Sequence, residues 1–341
     1  MTEPTPLTLG FSPCPNDTYI FNGLVHGRVD LRGAAFAEPV LEDVETLNAW
    51  ALAGRLDVSK ISCHALGHVL DRYALLHAGA ALGRGCGPLL ITAAGRGGPI
   101  DRWRIAIPGE YTTAALLLRL YRPACRNLRV LRFDRIMDAI ASGEVDGGVI
   151  IHESRFTYQE HGLHCVQDLG AWWEATTGLP IPLGCIVARR TMAPEVRAAI
   201  DAAIAASIRW ADTHPDEGWD YIRQHAQEMD EAVMQSHIGL YVNRFSRDLG
   251  DEGLQAGDEI TIEADGLPVG AIITSRPYDE EGVGTTPTGI VAVNAEGEPV
   301  DAGGNKVDIE EHPERAAGHI STGGTFDTLY NPILGDTPLK R

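Results

Sequence analysis

The run GGVII at residues 147–151 ends on His152, with Glu153 and Ser154 directly behind it. A strand buried on both faces ordinarily continues apolar or stops at a turn residue. A titratable ring at its tip is either a structural histidine with satisfied nitrogens or a working group. Imidazole has an ordinary pKa of about 6.5, so its neutral form is available as a base near pH 7. A strand tip would hold that base rigidly against a ligand, and among the 12 histidines of the chain this one is the strongest candidate.

Three other stretches place small polar or charged residues where an apolar run gives way to a helical pattern: SPCPND (12–17), SKIS (59–62) and GEYTT (109–113). Thr112 and Thr113 open a helix, where hydroxyls and first-turn amides can hold a carboxylate or carbonyl oxygen or serve only as ordinary caps. Ser62 can act similarly, and Lys60 can pair with an anion or simply be solvated. The two prolines of SPCPND pin a rigid turn.

Metal-like spacings exist in His64 with His68 and in His161, His164 and Cys165, but neither group has a partner cluster at zinc-site spacing and HExxH is absent. No metal site is expected. The lack of a GxSxG elbow, a P-loop or a GxGxxG after a strand leaves serine hydrolase, nucleotide triphosphatase and dinucleotide chemistry unsupported.

The elements that must position these residues alternate. LTLGF (7–11), DVSKIS (57–62), WRIAIPG (103–109) and GGVII read as strands, each followed by a helical segment, which predicts an α/β chain with mainly parallel strands. The helix after the first strand is expected to be capped by Asn16 or Asp17 and to close at Gly27. Residues 194–243 predict three helices in succession; Val196, Ile200, Ile204 and Ile208 repeat every fourth residue in the first, with Pro194 in its opening turn. In such sheets ligands bind beyond the carboxyl ends of the strands, so four junctions of one kind imply one shared cleft.

The 341 residues, 44% of them hydrophobic, exceed a usual single domain, and a net charge of −19 argues against nucleic acid or an anionic membrane face as partner. Residues 255–341 carry 16 acidic and 5 basic side chains, over half of the excess. There EITIEA, VGAIIT and TGIVAVN read as short strands of a small β module or of a poorly ordered extension, in a segment rich in Gly, Pro, Asp and Thr. No stretch approaches the ~20 apolar residues of a membrane span, and the first residues lack an export signal, so a cytoplasmic protein without membrane insertion is expected. The six cysteines form no CxxC pair and read as reduced, mostly buried thiols.

GFSPCPNDTYIF, EPVLEDVETLN, GGVIIHESRFTY and DLGAWWEATTGLPIPLG, in this order, resemble the 1,4-dihydroxy-6-naphthoate synthase family of the futalosine route to menaquinone, over about residues 7–253. ALGRGCGPL, PGEYTTA and YVNRFSRDLG are similar as well. The resemblance implies a periplasmic-binding-protein-like fold of type II, two α/β lobes with the ligand between them. Crossing strands would fall near 90–99 and 184–191, giving a larger lobe from 1–90 and 192–254, a smaller lobe from 91–191, and a β-rich acidic extension at 255–341. It implies a cofactor-independent lyase that converts cyclic dehypoxanthine futalosine, a small carboxylated substrate, into 1,4-dihydroxy-6-naphthoate and dihydroxyacetone. His152 would be the base, with Lys60, Ile61, Ser62, Thr112 and Thr113 contacting substrate. The chain departs from the family after LGDEG, where the expected last helix is replaced by LQAGDEITIEADG. The alternative is a solute-binding protein that captures a carboxylated ligand in the same cleft.

Overall fold

Hydrophobic patterning at the sheet and helix periods divides the strands of residues 9–189 between two separate sheets. The computed structural model describes residues 6–226, 230–251 and 253, and beyond these the strands within 260–329. In chain order the elements are β1 (Leu9–Phe11), α1 (Pro15–Val25), β2 (Val40–Leu41), α2 (Val44–Leu52), β3 (Val58–Ser62), α3 (Cys63–Leu66), β4 (Tyr73–Leu75), β5 (Ala81–Gly83) and β6 (Leu89–Ala93). There follow β7 (Ile105–Ile107), α4 (Thr113–Tyr121), β8 (Leu128–Val130), α5 (Ile136–Ala141), β9 (Gly147–Ile150), α6 (Ser154–Thr157), β10 (Leu163–Asp168), α7 (Leu169–Thr177) and β11 (Ile181–Arg189). Helices α8 (Pro194–Thr213), α9 (Trp219–His225), α10 (Glu231–Tyr241) and α11 (Arg244–Arg247) complete this part.

The first sheet runs β2-β1-β3-β11-β4, with β5 also on β11; β1 pairs in parallel with β2 and β3, while β11 runs antiparallel to its neighbours. The second runs β10-β6-β9-β7-β8, in which β7 is parallel to β8 and β9. The chain therefore passes from the first sheet to the second between Gly83 and Leu89 and returns between Asp168 and Ile181. Both passages lie several residues ahead of the crossings at 90–99 and 184–191 that the resemblance implies. The segments 84–88 and 178–180, with their glycines and prolines, make the turns, and β6 and β11 each sit wholly in one sheet.

Packing follows the pattern of the sequence. Ile200, Ile204 and Ile208 of α8 are buried with Ile20 and Phe21 of α1 and with Leu9, Phe11, Val58 and Ile186 of the first sheet. In the second sheet the side chains alternate: Leu90, Ile105, Ile107 and Val149 pack with Leu117 of α4 and Trp173 of α7, whereas Leu89, Ile91, Ala106 and Ile150 pack with Ile136 and Ile140 of α5. Helices on both faces exclude water from this sheet, and that is why GGVII could be uniformly apolar. At Gly148 a Cβ would lie 2.4 Å from the Ile136 side chain, so the strand can approach α5 only as glycine.

Five of the six cysteines are buried and all are free thiols; Cys165 is exposed. Among the described residues no helix is long and apolar enough to cross a membrane.

Residues 251–341 form a second compact unit. It contains a hairpin of β12 (Ile260–Ala264) and β13 (Leu267–Ala271) and a three-stranded antiparallel sheet of β14 (Thr288–Val291), β15 (Gly318–Thr322) and β16 (Thr325–Leu329). The expected strands EITIEA, VGAIIT and TGIVAVN fall on β12, β13 and β14; the parts beyond Ala271 and Val291 lie outside the described residues.

Candidate active site

All four junctions line one cleft between the two sheets. It holds about 680 Å³ of atom-free space, counted to where it opens to solvent. Ser12, Asn16 and Asp17 contribute from the β1–α1 turn, Lys60, Ile61 and Ser62 from β3, Thr112 and Thr113 from the start of α4, and His152 from just past β9.

The turn after β1 is built differently from the sequence expectation. Cys14, not Asn16 or Asp17, is the N-cap residue of α1, because Pro15 takes the first helical position, where a missing N–H costs nothing. Asp17 thus lies inside the first turn. Its carboxylate accepts from Ser12 Oγ at 2.8 Å and Asn16 Nδ2 at 2.8 Å, and pairs with Lys60 Nζ at 3.0 Å. Lys60 also donates to the Gly79 carbonyl at 2.8 Å, so two of its three N–H groups are engaged inside the protein. Ser62 sits beside Asn48, whose Oδ1 accepts from Ser62 N at 2.9 Å and whose Nδ2 donates to Ser62 Oγ at 3.2 Å. Ile61 is fully buried.

Thr112 is the N-cap of α4: its Oγ1 accepts from Ala115 N at 3.2 Å and donates to the Gly109 carbonyl at 3.0 Å. Thr113 Oγ1 donates to the Leu183 carbonyl at 2.8 Å and accepts from His64 N. Both hydroxyl protons are spent within the protein. What this helix start offers a ligand is its N–H groups at Thr113 and Ala114, which by position have no intrahelical acceptor.

Two links join the walls of the cleft. Glu45 of α2 accepts from Glu110 N at 2.7 Å and Tyr111 N at 3.2 Å, and burial raises its pKa although these amides and Asn48 oppose the rise. Gly109 makes room, since a Cβ there would come within 2.3 Å of the Glu45 carboxylate. His64 Nδ1 lies 3.1 Å from the Thr112 carbonyl. A carbonyl only accepts, so the proton is on Nδ1, and burial holds His64 neutral by pushing its pKa down to about 3.

His152 has a φ of 56°, a left-handed conformation uncommon outside glycine, so the local backbone is strained where the ring enters the cleft. Its Nδ1 lies 3.4 Å from Cys14 Sγ, and its ring meets Phe133 edge-on at 4.9 Å. Burial lowers its pKa from the ordinary 6.5, with neighbouring Glu153 pulling the other way. Burial, then Glu153, push the Cys14 thiol well up, so Cys14 is a neutral neighbour. His152 is accordingly a neutral imidazole at pH 7.

Behind the ring lie two groups that the sequence did not single out. His237 of α10 is 1% exposed, and its ring is nearly parallel to that of His152, 27° apart with centroids at 6.2 Å. Its Nδ1 is 3.5 Å from Glu153 Oε2. Neither Glu153 oxygen nor His237 Nδ1 makes a hydrogen bond, although all are buried. Tyr241, one turn on, also lines the cleft. The signal available in the sequence was the spacing of His237 and Tyr241 at i, i+4, one polar stripe on an otherwise apolar helix face.

Cys14, His152 and Glu153 have ligand atoms within 4.8 Å of one another, the donor types a divalent cation takes. The spacings noted from sequence do not form such a group: His161, His164 and Cys165 are exposed, and His64 and His68 stack edge-on with centroids 5.3 Å apart.

Comparison with known proteins agrees with this architecture. A family described as menaquinone biosynthesis matches residues 7–262. Two curated relatives named 1,4-dihydroxy-6-naphthoate synthase match: one from Thermus thermophilus, 52% identical over 76% of this chain and 94% of the relative, and one from Streptomyces coelicolor, 46% identical over 73% and 89%. The Candida albicans CA3427 gene product, described as having the generic periplasmic binding protein fold, superposes with a TM-score of 0.55 at 14% identity, covering 72% of this chain and 83% of that one. That likeness speaks for the fold alone.

Proposed function

The chain belongs to the menaquinone-biosynthesis family, and we propose that it carries out the reaction of its relatives as a carbon–carbon lyase that forms 1,4-dihydroxy-6-naphthoate. The substrate on this reading is cyclic dehypoxanthine futalosine, bound between an α/β lobe formed chiefly by 1–90 and 192–254 and one formed chiefly by 91–191. Dihydroxyacetone leaves. The setting is the cytoplasm.

The observation that carries the chemistry is a neutral imidazole, rigidly held at the end of a buried strand, facing a cleft lined by hydrogen-bond donors. His152 takes a proton from substrate carbon, and the electron pair left behind drives carbon–carbon cleavage and aromatisation of the second ring. The free amides of Thr113 and Ala114, at the positive end of α4, hold the substrate carboxylate or the oxygen on which charge develops. Ser62 Oγ and the third N–H of Lys60 supply further donors, and Ile61 anchors the strand between them. Asn16 Oδ1, buried without a hydrogen-bond partner, can accept from a substrate hydroxyl. Closure through Glu45 keeps water from the site.

Incubating the purified protein with the cyclic substrate and following naphthoate by its absorbance tests the function. Product at many turnovers per chain supports it. Tight binding without product would leave a solute-binding protein in its place.

A further inference from the structure

A base at the end of a buried strand has a second requirement. On taking a proton, His152 becomes an imidazolium in a site of low dielectric, where an uncompensated charge is costly. The anions around it differ in what they can still do. Asp17 of α1 is neutralised by Lys60 and held by Ser12 and Asn16. Asp43, at the N-cap of α2, accepts from Glu45 N at 3.0 Å and Thr46 N at 3.3 Å. Glu153 alone of these has both carboxylate oxygens free of hydrogen bonds while 6% exposed. The remaining titratable neighbours are Cys14 of α1, a neutral thiol, and His237 of α10.

A purely structural carboxylate would be expected to be saturated with donors, since leaving a buried acceptor unsatisfied is costly. Glu153 has only the His237 Nδ1 at 3.5 Å, outside hydrogen-bonding geometry. Burial acts to raise its pKa, and the neighbouring His237, together with a charge on His152, lowers it by more, so Glu153 is an anion when His152 takes its proton.

We propose that Glu153 is the positioning residue of the base: its carboxylate, flanked by the His152 and His237 rings, balances the charge His152 acquires as it takes the substrate proton. The inference rests on the reading of His152 as base. In the step, a substrate C–H bond breaks, its electron pair stays on carbon and an N–H bond forms on His152. Glu153 remains ionised throughout and touches no substrate atom.

The test is kcat and its pH profile for Glu153→Gln, Glu153→Asp and His152→Ala beside the parent. Glu153→Gln removes the charge at nearly constant shape. Its kcat is expected to fall about 10-fold or more, and its acid limb to move to lower pH, because His152 without the anion is a weaker base. Glu153→Asp, which keeps the charge one methylene further back, restores part of the rate and part of the limb. Should Glu153→Gln not fold, the Asp variant decides by itself, with a smaller displacement of both quantities in the same direction. An inactive His152→Ala with parental rate and limb in the Glu153 variants would overturn this inference alone. Parental turnover in His152→Ala would overturn the base itself.

Discussion

The two walls of the cleft spend their polar groups differently. On the wall built from β1, α1 and β3, Asp17, Lys60, Ser62 and Asn48 are buried and bonded to one another, with Asn16 Oδ1 the acceptor left over. Where the turn after β9 meets α10, which packs on α1 and β5, His152, Glu153 and His237 stand close together with a strained backbone, two unsatisfied carboxylate oxygens and an unsatisfied ring nitrogen. A satisfied network holds a shape. Unsatisfied groups cost stability in the resting protein, and their natural use is with a partner that arrives later, a substrate or a proton. On the proposed function the first wall is the mould and the second the machinery.

The largest effect expected is on the mould. Lys60→Met leaves the Asp17 carboxylate buried without its cation, which should lower stability by about 3–5 kcal/mol. A urea midpoint close to the parent's would show that the first wall is not held by this pair. Next in size is the machinery. His152→Ala should keep the parental circular dichroism and melting behaviour yet lose at least ~100-fold in turnover, the usual worth of a positioned base. If stability fell while the residual rate stayed high, the two walls would have exchanged roles. The smallest effect falls on the link between them: Glu45→Ala removes the acceptor of two amides of the opposite wall, so the open form gains population. A KM raised several-fold with kcat nearly unchanged is expected, since closure costs about 1 kcal/mol more without the link. An unaltered KM would mean that Glu45 does not govern closure.

Much of this division is legible in the amino-acid sequence. The four strand-to-helix junctions are local features, set by apolar runs and by the residues that follow them, and all four meet at the cleft. His152 stands out because a titratable residue interrupts an apolar strand at its end. His237 does not, because what makes it matter is the packing of α10 on α1 and β5, which brings its ring beside that of His152, a contact between positions 85 residues apart that no local pattern encodes. The same holds for Lys60: a lysine near a strand end looks wholly free until Asp17 is found 3.0 Å away and the Gly79 carbonyl at 2.8 Å, which leave one N–H over. The threonine pair does lie at a helix start, while its hydroxyl protons are consumed by the Gly109 and Leu183 carbonyls, so that only the amides there remain as donors. The cap of α1 shifts to Cys14 because a proline at the first helical position outranks a good capping side chain one residue further on.

Removal of the substrate proton by a neutral His152 would show itself in the dependence of kcat/KM on pH for the parent and for His152→Ala. Because burial lowers the pKa of this imidazole in the free protein, the parent should hold its rate on descent through pH 6.5 and lose it only below that value, and the residual rate of the variant should show no such limb. A limb centred above 6.5, or one that survives unchanged when His152 is removed, would contradict the account.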